Sequence, residues 1–493
     1  MPIMKKLADL TLATRLTARF ARAVQSIALL AALTASHIFG QIPGTLDPTF
    51  DPGLALSTNY WNYWTVHAVL PLPGGSVVVG GEFTMASGAA RDNIICLLSN
   101  GSTDSNFVAR ITQQGGNASV EALVAQGTKL LVGGRFDSVN GMVRRGLARL
   151  NGDGTLDTTF NPNLGYSAQV EVVVVQPDNR IIVAGSFMAN VGASFRQGLA
   201  RLNADGSLDL SFDATYAPGG FVYAAALQPD GKLVVGGFFA GSGANCPTNL
   251  ARLGPNGTLD TNYWPGFDTF GIVYGIAIQA DGKAVLAGGF DNVNGVTRYG
   301  YARVNLDGTL DASFELKDAG TNLFSSGGRL RSVAVQSDQK ILLGGTYAYY
   351  GGGSGERVVR FMPDGTADQA FVSLPCSSGT VETARLQSDG KLLVVGRFDA
   401  YGGVPRRGVA RRFGDAIPQP PRIALSHQSG GAMRLDVTNP ASQTLVLQAA
   451  TNLNAPQWTA LATNGLGANR VLFLDTNAWK YTRRFYRTLQ ISP

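Results

Sequence analysis

A chain of 493 residues, 45% of them hydrophobic, is long enough for a large core and for two domains. Its 62 glycines and 15% charged residues fit many short strands joined by tight turns rather than a helical protein. The formal charge of +6 and pI of 9.2 would point to nucleic acid or anionic membranes, but most of that charge lies in the first 40 residues, and neither partner is expected.

Those first residues have an order of their own. Lys5, Lys6, Arg15, Arg19 and Arg22 precede the apolar run Ile27–Ala35, and small residues follow near Gly40. Basic, then apolar, then small is the order of a secretory signal peptide, here residues 1–41. The run is too short to cross a bilayer, which takes roughly 20 apolar residues. Five basic residues against Asp9 contribute +4, so cleavage brings the +6 chain to near +2. The expected location is outside the cell or at its envelope, with no membrane span after cleavage. Cys96, Cys246 and Cys376 stand in three different repeats without CxxC spacing, so zinc and redox chemistry have no support. In an exported chain, an odd count leaves at least one thiol free.

From residue 42 to 416 the chain repeats itself. The second glycine of a Val-Gly-Gly strand falls at Gly81, Gly134, Gly185, Gly237, Gly289, Gly345 and Gly396, in steps of 51 to 56 residues. A second marker, Asp with an aromatic three residues later, runs from Asp47/Phe50 through Asp157/Phe160 and Asp260/Tyr263 to Asp368/Phe371. Both markers give seven copies. In one copy, Val222–Gln228 and Leu233–Phe239 read as strands around the turn Pro229-Asp230-Gly231-Lys232, where glycine accepts positive φ. Asn249–Leu253 and Thr258–Tyr263 read as a third and a fourth strand around Pro255-Asn256-Gly257. Four antiparallel strands at a period of about 50 residues describe a blade of a β-propeller.

The phase of the repeat predicts closure. The chain opens on a fourth-strand motif, Thr45–Phe50, and its seventh copy stops after three strands. Pairing the two ends removes the free sheet edges that an open array would expose. The expected fold class is therefore all-β: a seven-bladed β-propeller closed by the N-terminal strand over 42–416, followed by a small β-sandwich. Residues 417–421, Ile-Pro-Gln-Pro-Pro, read as a stiff linker. In 422–493, six short strands are expected near 422–428, 432–437, 444–449, 458–462, 470–475 and 484–490.

The recurring Gln-Pro/Ser-Asp-Gly-Lys, Val-Gly-Gly-x-Phe, Ala-Arg-Leu-Asn and Asp-Gly-Thr/Ser-Leu-Asp-x-x-Phe resemble the delta-60 repeat of bacterial secreted proteins. The resemblance implies a propeller fold and an exported location, but no reaction. The first copy departs from it, with Cys96 where Arg149, Arg201 and Arg252 sit. Beyond the repeats, Leu447-Gln-Ala-Ala-Thr-Asn-Leu453, Trp458 and Arg484-Phe-Tyr-Arg487 are similar to C-terminal modules of exported proteins from environmental bacteria.

Candidate functional residues come from positions where the copies disagree. His67, Glu121, Glu171, Tyr223, Tyr274, Arg331 and Glu382 begin the first strand of successive copies. In a propeller that strand lines the central axis, so these residues are expected as a ring at one mouth of the channel. Asp137, Asp291 and Asp399, with Arg144, Arg145, Arg298, Arg406 and Arg407, are expected on loops of the same face, where binding residues concentrate. Asn151/Asp153/Asp157 and its equivalents look like the start of a calcium loop, but the twelfth position is Pro162 rather than an acid, so a self-bonded turn is expected. The arginines from Arg149 to Arg411 should pair with the fourth-strand aspartates, at roughly 0.2–1 kcal/mol per cross-strand pair.

Catalytic patterns do not emerge. His67 and His427 lie in different domains, and Val-Gly-Gly sits within a strand rather than before a helix. No metal, cofactor or catalytic residue is expected. The predicted function is an exported, monomeric, non-enzymatic binding or surface-interaction protein that presents a propeller loop face to a carbohydrate, an envelope component or another protein. The alternative is a carbohydrate-active hydrolase or lyase using Glu121, Glu171 and Glu382 at the channel mouth.

Overall fold

The computed structural model describes residues 42–490 apart from 57–63, 87–88, 91, 163, 192–193, 214–218, 241–246, 268–270, 319–320, 323–328, 349–353, 378, 416–421, 429–431, 439–444, 452–457, 464–469 and 482–483. The expected signal peptide, the Pro-rich linker and Cys246 lie outside the described residues. Within them the protein is all-β, with two 3-10 turns, Pro73–Gly75 and Ala478–Lys480, and no α-helix. The chain divides into two compact units between Asp415 and Ala416.

The first unit repeats a three-stranded antiparallel sheet seven times, and one residue pair, Gln169 with Arg135, joins the second to the third. The inner strands are Thr65–Pro71, Ser119–Gln126, Gln169–Val175, Gly219–Leu227, Ile272–Ile278, Arg329–Val335 and Thr380–Leu386. Each pairs with a middle strand: Val77–Glu82, Lys129–Arg135, Ile181–Val191, Leu233–Ala240, Ala284–Gly289, Ile341–Ala348 and Leu392–Arg397. Each middle strand pairs in turn with an outer one: Ile94–Leu97, Leu147–Leu150, Ser194–Leu202, Leu250–Leu253, Tyr301–Val304, Ser354–Phe361 and Val409–Arg412. Each inner strand packs against the next, and the seventh packs against the first. The core lies between the sheets: Val78 of the first sheet, for example, is buried with Val120 and Val132 of the second. Because the middle strands are covered on both faces, they read as Val-rich runs without alternation.

Within every sheet the register slips by one residue near the start of the inner strand, leaving one residue unpaired. The unpaired residues of these β-bulges are His67, Glu121, Glu171, Tyr223, Tyr274, Arg331 and Glu382. Opposite each bulge stands a glycine on the middle strand. A Cβ there would meet an inner-strand carbonyl oxygen, at 2.1 Å for Gly81 on Thr65, 2.0 Å for Gly237 on Phe221 and 2.4 Å for Gly345 on Arg329. In the fifth sheet that glycine is Gly288, facing Val273, rather than the Gly289 picked by motif spacing. The other glycine of the pair is less constrained, since Ala184, Ala287 and Val395 replace it in three sheets.

The expected fourth strand is reduced to a single bridge. Leu150 bridges Leu156, Leu202 bridges Leu208 and Leu253 bridges Leu259, and the chain then leaves the sheet. The aspartate that follows explains why. Asp157 donates its N–H to the Arg149 carbonyl but accepts bonds from the Thr159 N–H and hydroxyl on its own side chain, which bends the backbone away. In the seventh sheet this role passes to the N-terminal segment: Leu46 bridges Arg412, and Asp47 donates its N–H to the Arg411 carbonyl at 2.9 Å.

The outer-strand arginines do more than form cross-strand pairs. Arg149, Arg201, Arg252, Arg303, Arg360 and Arg411 donate to Asp157, Asp209, Asp260, Asp311, Asp368 and Asp47 at 2.7–3.0 Å. Each guanidinium lies 4.3–4.8 Å from the centre of an aromatic ring, Phe160 for Arg149 and Phe50 for Arg411. A second nitrogen then reaches the next sheet: Arg201 to the Pro255 carbonyl at 2.7 Å, Arg303 to Pro363 at 2.8 Å and Arg411 to Ser99 at 2.8 Å. Arg360 takes the Asp415 carboxylate with two nitrogens, at 2.8 and 2.9 Å. These are inter-sheet clamps as well as cross-strand pairs, so removing one member costs more than the ~0.2–1 kcal/mol that a cross-strand pair contributes. Stranding one member of a buried pair costs about 3–5 kcal/mol. The first sheet lacks this clamp, because Cys96 replaces its arginine.

The second unit contains two three-stranded antiparallel sheets. Arg422–His427, Met433–Thr438 and Arg470–Asp475 form one; Thr459–Thr463, Leu445–Ala450 and Phe485–Gln490 form the other. Leu435 and Val437 of the first sheet are buried with Leu447 of the second. The Tyr486 hydroxyl donates to Asp475 at 3.0 Å, tying the two sheets.

Two outcomes test this account of the first unit. Asp47→Ala leaves Arg411 and Lys391 without their shared carboxylate and should lower unfolding free energy by about 3–5 kcal/mol in a denaturant titration, while Asp230→Ala in an exposed turn should leave the midpoint nearly unchanged. Gly237→Ala should cost at least the ~1–3 kcal/mol of an overpacked core, because backbone rather than a side chain blocks the site. Gly236→Ala, at a position where other sheets carry alanine, should be milder by thermal melting.

Candidate binding site in the central channel

The seven bulge residues share one cavity. It has a volume of about 240 Å³, and every inner strand contributes to its wall. A bulge re-aims the residue it inserts, and here it turns one side chain per sheet toward the common axis. Following the sheets around, the acids and His67 gather on one arc, and Tyr223 and Tyr274 lie on neighbouring sheets across from it.

The polar arc is bonded within itself. His67 Nδ1 lies 3.7 Å from Glu121 Oε2. Gln169 donates to Glu171 at 2.5 Å. Glu382 accepts from the Thr380 hydroxyl at 2.6 Å and from Arg331 at 3.0 Å. On the aromatic arc, the Tyr223 and Tyr274 rings are 5.7 Å apart, and Phe221 stacks on Tyr223 at 6.1 Å. Arg331 sits 6.0 Å from the Tyr274 ring centre, so it faces both arcs.

Burial is the main reason that the Glu171 carboxyl is pushed up to about 7, with the nearby Glu121 charge adding to it and Gln169, His67 and Arg135 opposing. At neutral pH Glu171 therefore holds its proton part of the time and serves both as donor and as acceptor.

One channel residue was missed by reading the starts of the strands. Arg385, three residues past Glu382 on the same inner strand, lines the same cavity. The neighbouring protein lowers its guanidinium from the usual value, although the side chain is exposed to water in the channel. The signal was present in the repeat: the other copies carry Leu70, Val124, Val174, Ala226, Ala277 and Ala334 at this place.

Several of the loop charges have partners within the protein. Arg407 pairs with Asp399 at 3.1 Å, Arg406 with Asp51 at 3.1 Å, and Arg145 lies over the Tyr166 ring at 3.9 Å. The Asp153, Asp205 and Asp307 carboxylates accept from Thr155, Ser207 and Thr309 within their own turns, which accounts for the alternating oxygens there. Cys96 is buried, and burial, with Asp104 beside it, pushes its thiol up to about 11, so it is not a nucleophile. A broader concavity of about 990 Å³ lies where the inner strands end, among the first turns of four sheets and their glutamines Gln176, Gln228, Gln279 and Gln336. Gln228 donates to the Gly282 carbonyl of the next sheet at 2.8 Å, so this side chain joins two sheets. Among the described residues, no helix is long and apolar enough to cross a membrane.

Seven three-stranded sheets arranged about one axis by a repeated motif make the chain a β-propeller repeat protein. Residues 73–107, 129–160, 176–212, 228–263, 279–314, 336–371 and 387–411 match the family described as "Domain of unknown function (DUF5122) beta-propeller". No curated protein matches the chain at a significant level. Among solved structures, the WD40 domain of SCAP from fission yeast aligns over 89% of this chain and 90% of its own, at 10% identity and a TM-score of 0.20, a likeness too slight to carry detail.

The position of Glu171 gives a pH signature. Its folded value lies above the ordinary 4.5, so the folded state holds a proton that the unfolded chain has lost, and its contribution to stability falls as pH rises from 4.5 to about 7. Glu171→Gln removes that loss. The variant should gain on the parent by on the order of 1–3 kcal/mol across this window, with a constant gap above it, in denaturation curves taken at a series of pH values.

Proposed function

We propose that the chain is an exported, non-enzymatic binding protein whose channel mouth takes a small polar ligand. The observation that carries this reading is the convergence of seven dissimilar side chains, each on a bulge that an otherwise uniform repeat preserves, onto one cavity. A repeat that needed only to pack would have no use for His67, Glu121, Glu171, Tyr223, Tyr274, Arg331 and Glu382 in equivalent places. Carboxylates and aromatic faces around a narrow opening suit a saccharide, whose hydroxyls bond to the acids and whose C–H face lies on tyrosine.

In this reading the seven sheets form a closed seven-bladed ring of the delta-60 type, sealed by the N-terminal segment at Leu46 and Asp47. The two C-terminal sheets form a small β-sandwich that docks the protein to a carbohydrate, an envelope component or another protein. Residues 1–41 act as the signal peptide, and the exported chain is a monomer, secreted or held at the envelope.

A second reading, a carbohydrate-active hydrolase or lyase, draws on Glu171, a carboxyl that keeps its proton toward neutral pH beside Glu121. A screen of mono- and disaccharides against the full chain, with binding read by calorimetry and products by chromatography, separates the two. The binding reading expects a saccharide recovered intact, with Glu121→Gln, Glu171→Gln and Glu382→Gln each weakening its affinity about tenfold. Cleavage products that these substitutions abolish, at unchanged melting temperature, would establish the enzyme. No affinity for any saccharide overturns both.

A further inference from the structure

Among the described residues lining the channel, Arg385 is a cation with no carboxylate partner. Among the described residues, it makes no hydrogen bond or ion pair, and it lines the channel open to water. Other arginines have a carboxylate partner: Arg331 has Glu382 at 3.0 Å, Arg201 has Asp209 at 2.7 Å and Arg411 has Asp47 at 2.8 Å. A guanidinium offers five donors in a fixed fork and no acceptor, and the channel wall takes up none of those of Arg385. The fold does not require it, because the equivalent inner-strand residues Leu70, Val124, Val174, Ala226, Ala277 and Ala334 are apolar.

We infer that the channel ligand is a sugar acid, with its carboxylate held by Arg385 and its hydroxyl-bearing ring held between the Glu121–Glu171 arc and the faces of Tyr223 and Tyr274. This rests on the reading of the channel as a saccharide site and names the ligand class. The chemistry of each wall matches one part of such a molecule. A carboxylate takes two parallel N–H bonds from a guanidinium. Hydroxyls bond to Glu121 and exchange bonds with Glu171, whose carboxyl is pushed up to about 7 by burial. Arg331 is the weaker anion site, because the Glu382 carboxylate beside it offsets its charge. At an extended rise of ~3.3 Å per residue, Arg385 lies about 10 Å along the strand from the Glu382 level, so ring and carboxylate meet different layers of the wall. The volume of about 240 Å³ is below the ~300–1,000 Å³ of pockets that enclose drug-sized molecules, and it selects a single sugar unit.

The test titrates the full chain with glucuronate and galacturonate, with the matching neutral sugars glucose and galactose, and with sulfate as a bare anion. The expected result is that a uronate binds about tenfold or more tightly than its neutral partner, and that Arg385→Gln removes this advantage without changing neutral-sugar affinity. Arg385→Lys should keep part of it. Arg385→Leu, which installs the residue of the first copy, should melt with the parent and show that the loss is not unfolding. Neutral sugars that bind as well as uronates, with Arg385→Gln silent, overturn the sugar-acid assignment and leave the saccharide site standing. Sulfate bound through Arg385 with no sugar bound also overturns it, leaving an adventitious ion only. Failure of every sugar removes both readings together.

Discussion

Where a Cβ on the middle strand would lie, a carbonyl oxygen of the inner strand already sits, once in each of the seven sheets. This close approach arises because the inner strand carries one residue more than its partner at that point. The glycine and the bulge therefore imply each other. The bulge also supplies what a regular strand cannot: one side chain per sheet freed from the ladder and aimed at the axis. The scaffold tolerates His, Glu, Tyr or Arg there because the extra residue has no cross-strand neighbour to fit.

The Arg–Asp–aromatic clamp does for the outer part of the ring what the bulge does for the inner part. Burial alone would raise the Asp47 carboxyl, but the Thr49 bonds, Arg411 and Lys391 outweigh it and hold it below the usual value. The same guanidinium then crosses to the next sheet, so intra-sheet charge pairing and inter-sheet docking share one side chain. At the seam between the seventh and first sheets, the partner aspartate comes from the segment around Asp47, and the clamp that joins ordinary neighbours also joins first to last. The absence of an arginine at Cys96 makes the first sheet the one departure from this scheme.

Much of this was legible in the residues. Period, copy number and strand positions followed from two repeated markers, because each blade repeats the same packing problem and the same solution. The seven ring positions were legible for the opposite reason: they vary where their surroundings do not. The fourth strand misled, since Thr258–Tyr263 has strand-like composition, but the Asp260 side chain bonds to its own backbone and bends the chain out of the ladder. Gly288 was mistaken for Gly289 because two adjacent glycines are equivalent in a pattern and distinct only in register.

The sequence by itself determined the repeat, the all-β class and the list of variable positions, since these depend on local periodicity and turn chemistry. Only the tertiary structure decided which of those positions share a wall. That Glu171 is raised by burial beside Glu121, that Arg331 is matched by Glu382 while Arg385 is not, and that Arg411 is matched by Asp47 across more than three hundred residues all depend on which strands the ring brings together. Charge pairing and desolvation act over a few ångströms in space, and the linear order of a repeat records neighbours along the chain rather than those across the axis.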